Sequence, residues 1–217
     1  NTTDGVTTTI TFTNGTGAWS TFIPNETLNA TAGFFDNAAQ GTGAIRATWG
    51  SAHSQDGTIT ITFDKPVTNP VLHLDRLGGN FGSVAAGFTS NSSVLTLQTA
   101  GATLTRLAGN SSAFVVDSVN GRIYRAVDVV VGNNGEATSS ATGASAGTAA
   151  GSVRINGTFT TLTFKISDMA STADFGGDAM EFAFAIDAPP VAANDTFTTV
   201  HDTPVTINVR SNDSDIR

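Results

Sequence analysis

Apolar side chains recur at every second position through most of this chain. Ile10 and Phe12 alternate with Thr9, Thr11 and Thr13, and Ile59, Ile61 and Phe63 alternate with Thr58, Thr60 and Thr62. Leu162, Phe164 and Ile166 alternate with Thr161, Thr163 and Lys165. The longest stripe is Met180, Phe182, Phe184 and Ile186, interleaved with Glu181, Ala183 and Ala185. A period of two puts one face of an extended chain on a core and the other toward solvent. It therefore selects half-buried antiparallel strands and disfavours amphipathic helices. Threonine at the outward positions adds β propensity.

Further strands are expected at 45–49, 71–77, 94–97, 102–107, 113–116, 122–131 and 151–155. Asn120-Gly121 and Asn156-Gly157 lie between such runs and read as tight hairpin turns. Short strands punctuated by Gly, Asn and Asp predict an all-β chain, an antiparallel β-sandwich of jelly-roll type. Between 132 and 151 the residues are almost all Gly, Ala, Ser and Thr, which reads as a flexible surface loop within the first domain.

The strongest boundary is Asp187-Ala188-Pro189-Pro190. Adjacent prolines favour an extended connector, so the reading is a sandwich over 1–187, a linker over 188–190 and the opening strands of a second unit over 191–217. That last stretch is too short to bury a sandwich core of its own.

Composition bounds the partners. Hydrophobic residues make up 39% of the 217, enough for a sizeable core. Charged residues are only 13%, against about 25% in ordinary soluble domains. The net charge of −8 repels phosphate backbones and argues against nucleic acid. No apolar run is long enough to span a membrane as a helix. With no cysteine and an acidic, threonine-rich surface, the expected setting is a bacterial or archaeal exterior, secreted or at the cell surface. The opening Asn1-Thr2-Thr3-Asp4 has no basic or apolar leader character, which fits a mature chain whose signal peptide has been removed.

The tail reads Val191-Ala192-Ala193-Asn194-Asp195-Thr196-Phe197-Thr198-Thr199, then Thr203-Pro204-Val205-Thr206-Ile207-Asn208-Val209 and Ser211-Asn212-Asp213-Ser214-Asp215. It resembles the opening of the cadherin-like, immunoglobulin-like tandem repeats of large bacterial surface adhesins. The resemblance implies a long extracellular protein of stacked sandwich repeats, with Ca²⁺ stiffening the joints. The Asp-Gly-Asp-like run usual in those repeats is not reached before Ile216-Arg217. The segment 60–74 looks like a recurring stretch of bacterial secreted sandwich domains and carries no assigned activity.

Calcium takes oxygen ligands from carboxylates, amides and carbonyls. Asn194 and Asp195 follow the linker, and Asn212, Asp213 and Asp215 follow the next strand, so these oxygens are expected to share an ion at the joint. A second Ca²⁺ site is expected from Asp174, Asp178 and Asp187. The competing reading of all eight is that Asn and Asp are turn formers. For sugar binding, which stacks rings on exposed aromatics, the candidates are Trp19, Phe34, Phe35, Trp49 and Tyr124.

Catalysis has little to stand on. His53, His73 and His201 are scattered, and His73, at an outward strand position, is expected at the surface. Of three glutamates, only Glu181 with Asp178 forms a carboxylate pair worth checking for glycoside hydrolysis. Leu77-Gly78-Gly79-Asn80-Phe81-Gly82 lacks the lysine and helix of a phosphate loop and reads as a wide turn.

The expectation is a non-enzymatic extracellular module of a bacterial surface adhesin or fibre, its partners being neighbouring domains or subunits. The alternatives are a carbohydrate-binding module, or a filament subunit that lends 191–217 to a neighbour's sheet.

Overall fold

Alternating Thr and apolar residues give each strand one side that water disfavours and one that it accepts, and two such sheets close on each other. The computed structural model describes residues 2–3, 5–14, 19–28, 35, 43–49, 57–83, 87–109, 113–126, 148–170, 178–186 and 188–191. In the tail it describes 193–196, 198–199, 201–202, 204, 206, 208 and 214–216.

The first strands are β1 (Thr2–Thr3), β2 (Val6–Asn14), β3 (Trp19–Thr27), β4 (Gly43–Trp49), β5 (Gly57–Thr68) and β6 (Val71–Leu77). Then come β7 (Gly79–Ser83), β8 (Gly87–Leu97), β9 (Thr103–Gly109), β10 (Phe114–Asp117) and β11 (Arg122–Arg125). The last are β12 (Ala149–Asn156), β13 (Thr158–Ala170), β14 (Asp178–Ala185), β15 (Ala188–Val191) and β16 (Ser214–Ile216).

Two antiparallel sheets form a β-sandwich. One has eight strands in the order β1-β2-β5-β13-β8-β11-β10, with β7 also on β8; the other has six, β3-β4-β14-β6-β12-β9. Ile59, Ile61, Leu162, Phe164 and Ile166 from the first meet Leu72, Leu74, Val153, Ile155, Met180 and Phe182 from the second in one core. Aromatic pairs cross between the sheets, Phe12 to Phe182 at 6.0 Å and Phe63 to Phe184 at 6.3 Å. Each such aliphatic or aromatic side chain contributes about 1.5–3 kcal/mol by leaving water.

Several turns differ from expectation. Asn120-Gly121 does lie in a hairpin, but the register Asp117↔Arg122 leaves a four-residue loop, with Asp117 accepting from the Asn120 backbone at 3.0 Å. Asn156-Gly157 is not a hairpin: β12 and β13 belong to opposite sheets, so the chain crosses the sandwich there. Thr68 to Val71 makes the same crossing, and the two are zipped by Asn69 N donating to Gly157 O at 2.8 Å and Gly157 N donating to Asn69 Oδ1 at 2.9 Å. The segment 77–82, expected as a wide turn, contains β7, which pairs along β8.

The small-residue stretch also ends sooner than its composition suggests. Ala149, Ala150 and Gly151 are buried in β12, and residues 132–147 lie outside the described residues. At Gly151 smallness is a packing requirement, because a Cβ there would stand 2.4 Å from the Phe114 ring. Strand β3 carries no clean alternation, and no strand is expected there from the sequence pattern. It pairs with β4 through two register shifts, one beside Pro24.

Beyond the sandwich, β15 and β16 pair antiparallel, with Ala188 opposite Ile216 and Val191 opposite Ser214. The connector is therefore extended and hydrogen-bonded to the end of the tail.

Candidate functional site

The two sheets present very different outer faces. On the eight-stranded sheet the outward positions line up across strands as Thr9–Thr62–Thr161, Thr11–Thr60–Thr163 and Thr13–Thr58–Lys165–Thr96. Rows lie two residues apart, about 6.4–6.8 Å, and strands about 4.7–4.9 Å apart. Thr9, Thr11, Thr13, Thr62 and Thr161 are exposed. This face is a grid of hydroxyls with few charges.

On the six-stranded sheet, outward positions of β6, β12 and β14 are buried instead. Glu181 stands opposite Asp75, and Ala183 opposite His73, which in turn stands opposite Ser152. His73 is 3% exposed, and Asp75, Ser152 and Glu181 are wholly buried. Two residues after β3 supply cover: Leu28 packs with Ala44 and Ala183, and Phe35 joins them. Small residues at those outward positions leave the trough that Leu28 fills. Phe35 also meets the His73 ring edge-on at 6.0 Å.

Under this cover the polar groups pair with one another, as buried polar groups must. His73 Nδ1 and Ser152 Oγ are 2.7 Å apart, and the tautomer decides which donates. Arg76 donates from its backbone N to Asp75 Oδ1 at 2.7 Å and from Nη1 to Glu181 Oε1 at 3.4 Å. His73 is outward, as expected, yet it is not a surface residue. Nothing in a period-two pattern distinguishes an outward position that is bare from one that is covered; the signal available was the row of small neighbours.

Half of the expected metal ligands fall on described residues. Asn194 and Asp195 are exposed, Asp178 begins β14, and Asp215 lies in β16, brought beside the connector by the β15–β16 pairing. Asp174, Asp187, Asn212 and Asp213 lie outside the described residues. Among the described residues no group of three or more His, Asp and Glu side chains gathers as a metal site. Asp178 and Glu181 sit three positions apart on one strand, an odd spacing that assigns them to opposite faces of a sheet.

Of the aromatics, Trp19 is opposite Trp49, and Trp49 is opposite Asp178, so the three share one row across β3, β4 and β14. Tyr124 is in the other sheet, half-buried, with the Arg122 guanidinium 5.4 Å from its ring centre. Phe35 is spent on the cover, and Phe34 lies outside the described residues. His201 is exposed beside Asp202, Nδ1 to Oδ2 2.6 Å, and His53 lies outside the described residues.

At the edge of the eight-stranded sheet, Asp117 closes the β10–β11 turn. Its carboxylate accepts from Asn120 Nδ2 at 2.8 Å and from Arg122 Nη2 at 3.1 Å. These bonds, Asn120's first and then the Arg122 charge, hold its pKa below the usual value of about 3.8.

No family model, curated protein or solved structure matches this chain.

Proposed function

We propose that this chain is a non-enzymatic module of a larger extracellular surface protein, with Ca²⁺ stiffening the joint between its sandwich and the tail 191–217. The observation that carries this reading is the β15–β16 pairing. It returns Asp215 to the connector, a few residues from Asn194 and Asp195, so three oxygen-bearing residues are brought to one joint by sequence and strand register. The covered face supports it too, since His73, Ser152, Asp75 and Glu181 are buried and hydrogen-bonded to neighbouring protein groups. A hydroxyl-clad second face suits contact with water and neutral polymers at a cell exterior.

Thermal melting with Ca²⁺ and with a chelator tests it. A joint that binds the ion gains stability with concentration, about 2.7 kcal/mol at a hundredfold excess over Kd, and Asp195→Ala with Asp215→Ala removes that gain. Identical melts with and without the ion would end this reading.

Carbohydrate binding is a second reading, supported by two aromatic residues and one acid in register at the ends of β3, β4 and β14, Trp19, Trp49 and Asp178, at positions in phase with Met180 where the sandwich opens. A glycan array probed with wild type and Trp49→Ala separates the two. Selective binding lost in the variant supports the sugar reading.

A further inference from the structure

We infer that Asn120 is a self-modification site: in the folded protein it deamidates to aspartate and isoaspartate, while Asn156, in the same Asn-Gly dipeptide, is held intact by its surroundings. The reaction needs the backbone nitrogen of the following residue to reach the side-chain amide carbon. Glycine has no Cβ to obstruct that approach. Gly121 N attacks Asn120 Cγ and forms the C–N bond of a succinimide ring. The Cγ–Nδ2 bond breaks, and the nitrogen leaves as ammonia carrying the proton given up by Gly121. Water then opens either imide carbonyl to leave an aspartate or an isoaspartate. Nothing is oxidised or reduced, and water is the one co-reactant.

Of the chain's four Asn-Gly dipeptides, these two differ in how firmly the reacting atoms are held. Asn120 is exposed on the β10–β11 loop, and its side-chain amide donates from Nδ2 to Asp117 Oδ2 at 2.8 Å. Gly121, at φ +64°, is in the left-handed region where glycine is at ease. Asn156 is half-buried and clamped at both ends of its amide. Its Oδ1 accepts from Arg154 Nε at 3.0 Å, and its Nδ2 donates toward Thr103 O at 3.3 Å, Thr103 Oγ1 at 3.0 Å and Thr105 Oγ1 at 2.9 Å. Its nucleophile is engaged as well, since Gly157 N donates to Asn69 Oδ1 at 2.9 Å. Each net hydrogen bond lowers the population of a freed rotamer by roughly 2- to 10-fold. Three or four extra bonds therefore slow Asn156 by about tenfold at the least.

The change has a local consequence. A carboxylate at position 120 replaces a donor to Asp117 with a like charge, so the loop loses the side-chain hydrogen bond that closes it. Ageing then loosens the edge hairpin of the eight-stranded sheet while the crossover at Asn156 stays closed.

The test is peptide mapping of the full chain after incubation in mildly alkaline buffer. Trypsin releases residues 107–122 and 155–165 as separate peptides, and fragmentation distinguishes position 120 from Asn110. The expected result is deamidation at Asn120 in the folded chain about tenfold or more ahead of Asn156, and similar rates at both in urea. Asn120→Gln abolishes the change in the first peptide. Asn156 converting as fast as Asn120 in the folded chain would overturn the proposal, as would an Asn120 that converts only in urea.

Discussion

The outer faces of the two sheets begin from the same pattern, an apolar residue inward and a polar or small one outward, and end in opposite environments. On β2, β5 and β13 the outward residues are mostly threonines, in rows that are exposed or half-buried. On β6, β12 and β14 they are His73, Asp75, Ser152, Glu181 and Ala183, all buried, with Leu28 packed on Ala183 and Phe35 against His73. Alternation therefore specifies the inner face, while the fate of the outer face is decided by side-chain size. Threonine hydroxyls are content in water. Alanines at 44 and 183 leave a gap that Leu28 fills, and the buried polar groups beside it must then bond to each other.

Removing the cover's anchor challenges this contrast most severely. Leu28→Ala is expected to cost about 2–5 kcal/mol in urea unfolding, the range for a fully buried leucine, whereas an exposed cover would lose little. Next is Ser152→Ala, which strips His73 of a buried partner and is expected to cost about 1–3 kcal/mol. On the threonine face, Thr62→Ala is expected to stay within about 0.5 kcal/mol of wild type, as exposed substitutions do. A Thr62→Ala loss as large as that of Leu28→Ala would erase the contrast.

A smaller and pH-dependent effect belongs to the hairpin at the edge of the threonine-faced sheet. Asp117 has a folded pKa below its unfolded value near 3.8, so its contribution is present above that pH and is lost as pH falls through the folded value. Below pH 3.8 the stability of Asp117→Asn is therefore expected to fall less steeply than that of wild type. Parallel curves would show that the carboxylate does nothing for the turn.

The sandwich itself was legible, because Ile59, Ile61, Phe63, Leu162, Phe164 and Ile166 alternate without interruption and every one is buried. Strand β3 was not, since Pro24 and two register shifts interrupt its pattern and its pairing is supplied by β4. Nor was the crossover at Asn156-Gly157, which needs the long-range bonds to Asn69 to reveal which sheet comes next. The polar ladder was invisible for the same reason: Asp75 and Glu181 are far apart in sequence and meet only through strand register. Local patterns specify strands, while neighbours across strands come from topology.

Histidine labelling decides between a covered and a bare outer face, because one molecule carries both the probe and its control. His73 is 3% exposed under the cover, and the His201 side chain is 92% exposed in the tail. Acylation with diethyl pyrocarbonate, read by mass spectrometry, is expected to modify His201 rapidly and to leave His73 untouched until urea unfolds the chain. His73 reacting at the rate of His201 in the folded protein would show that the six-stranded sheet is as bare as its partner.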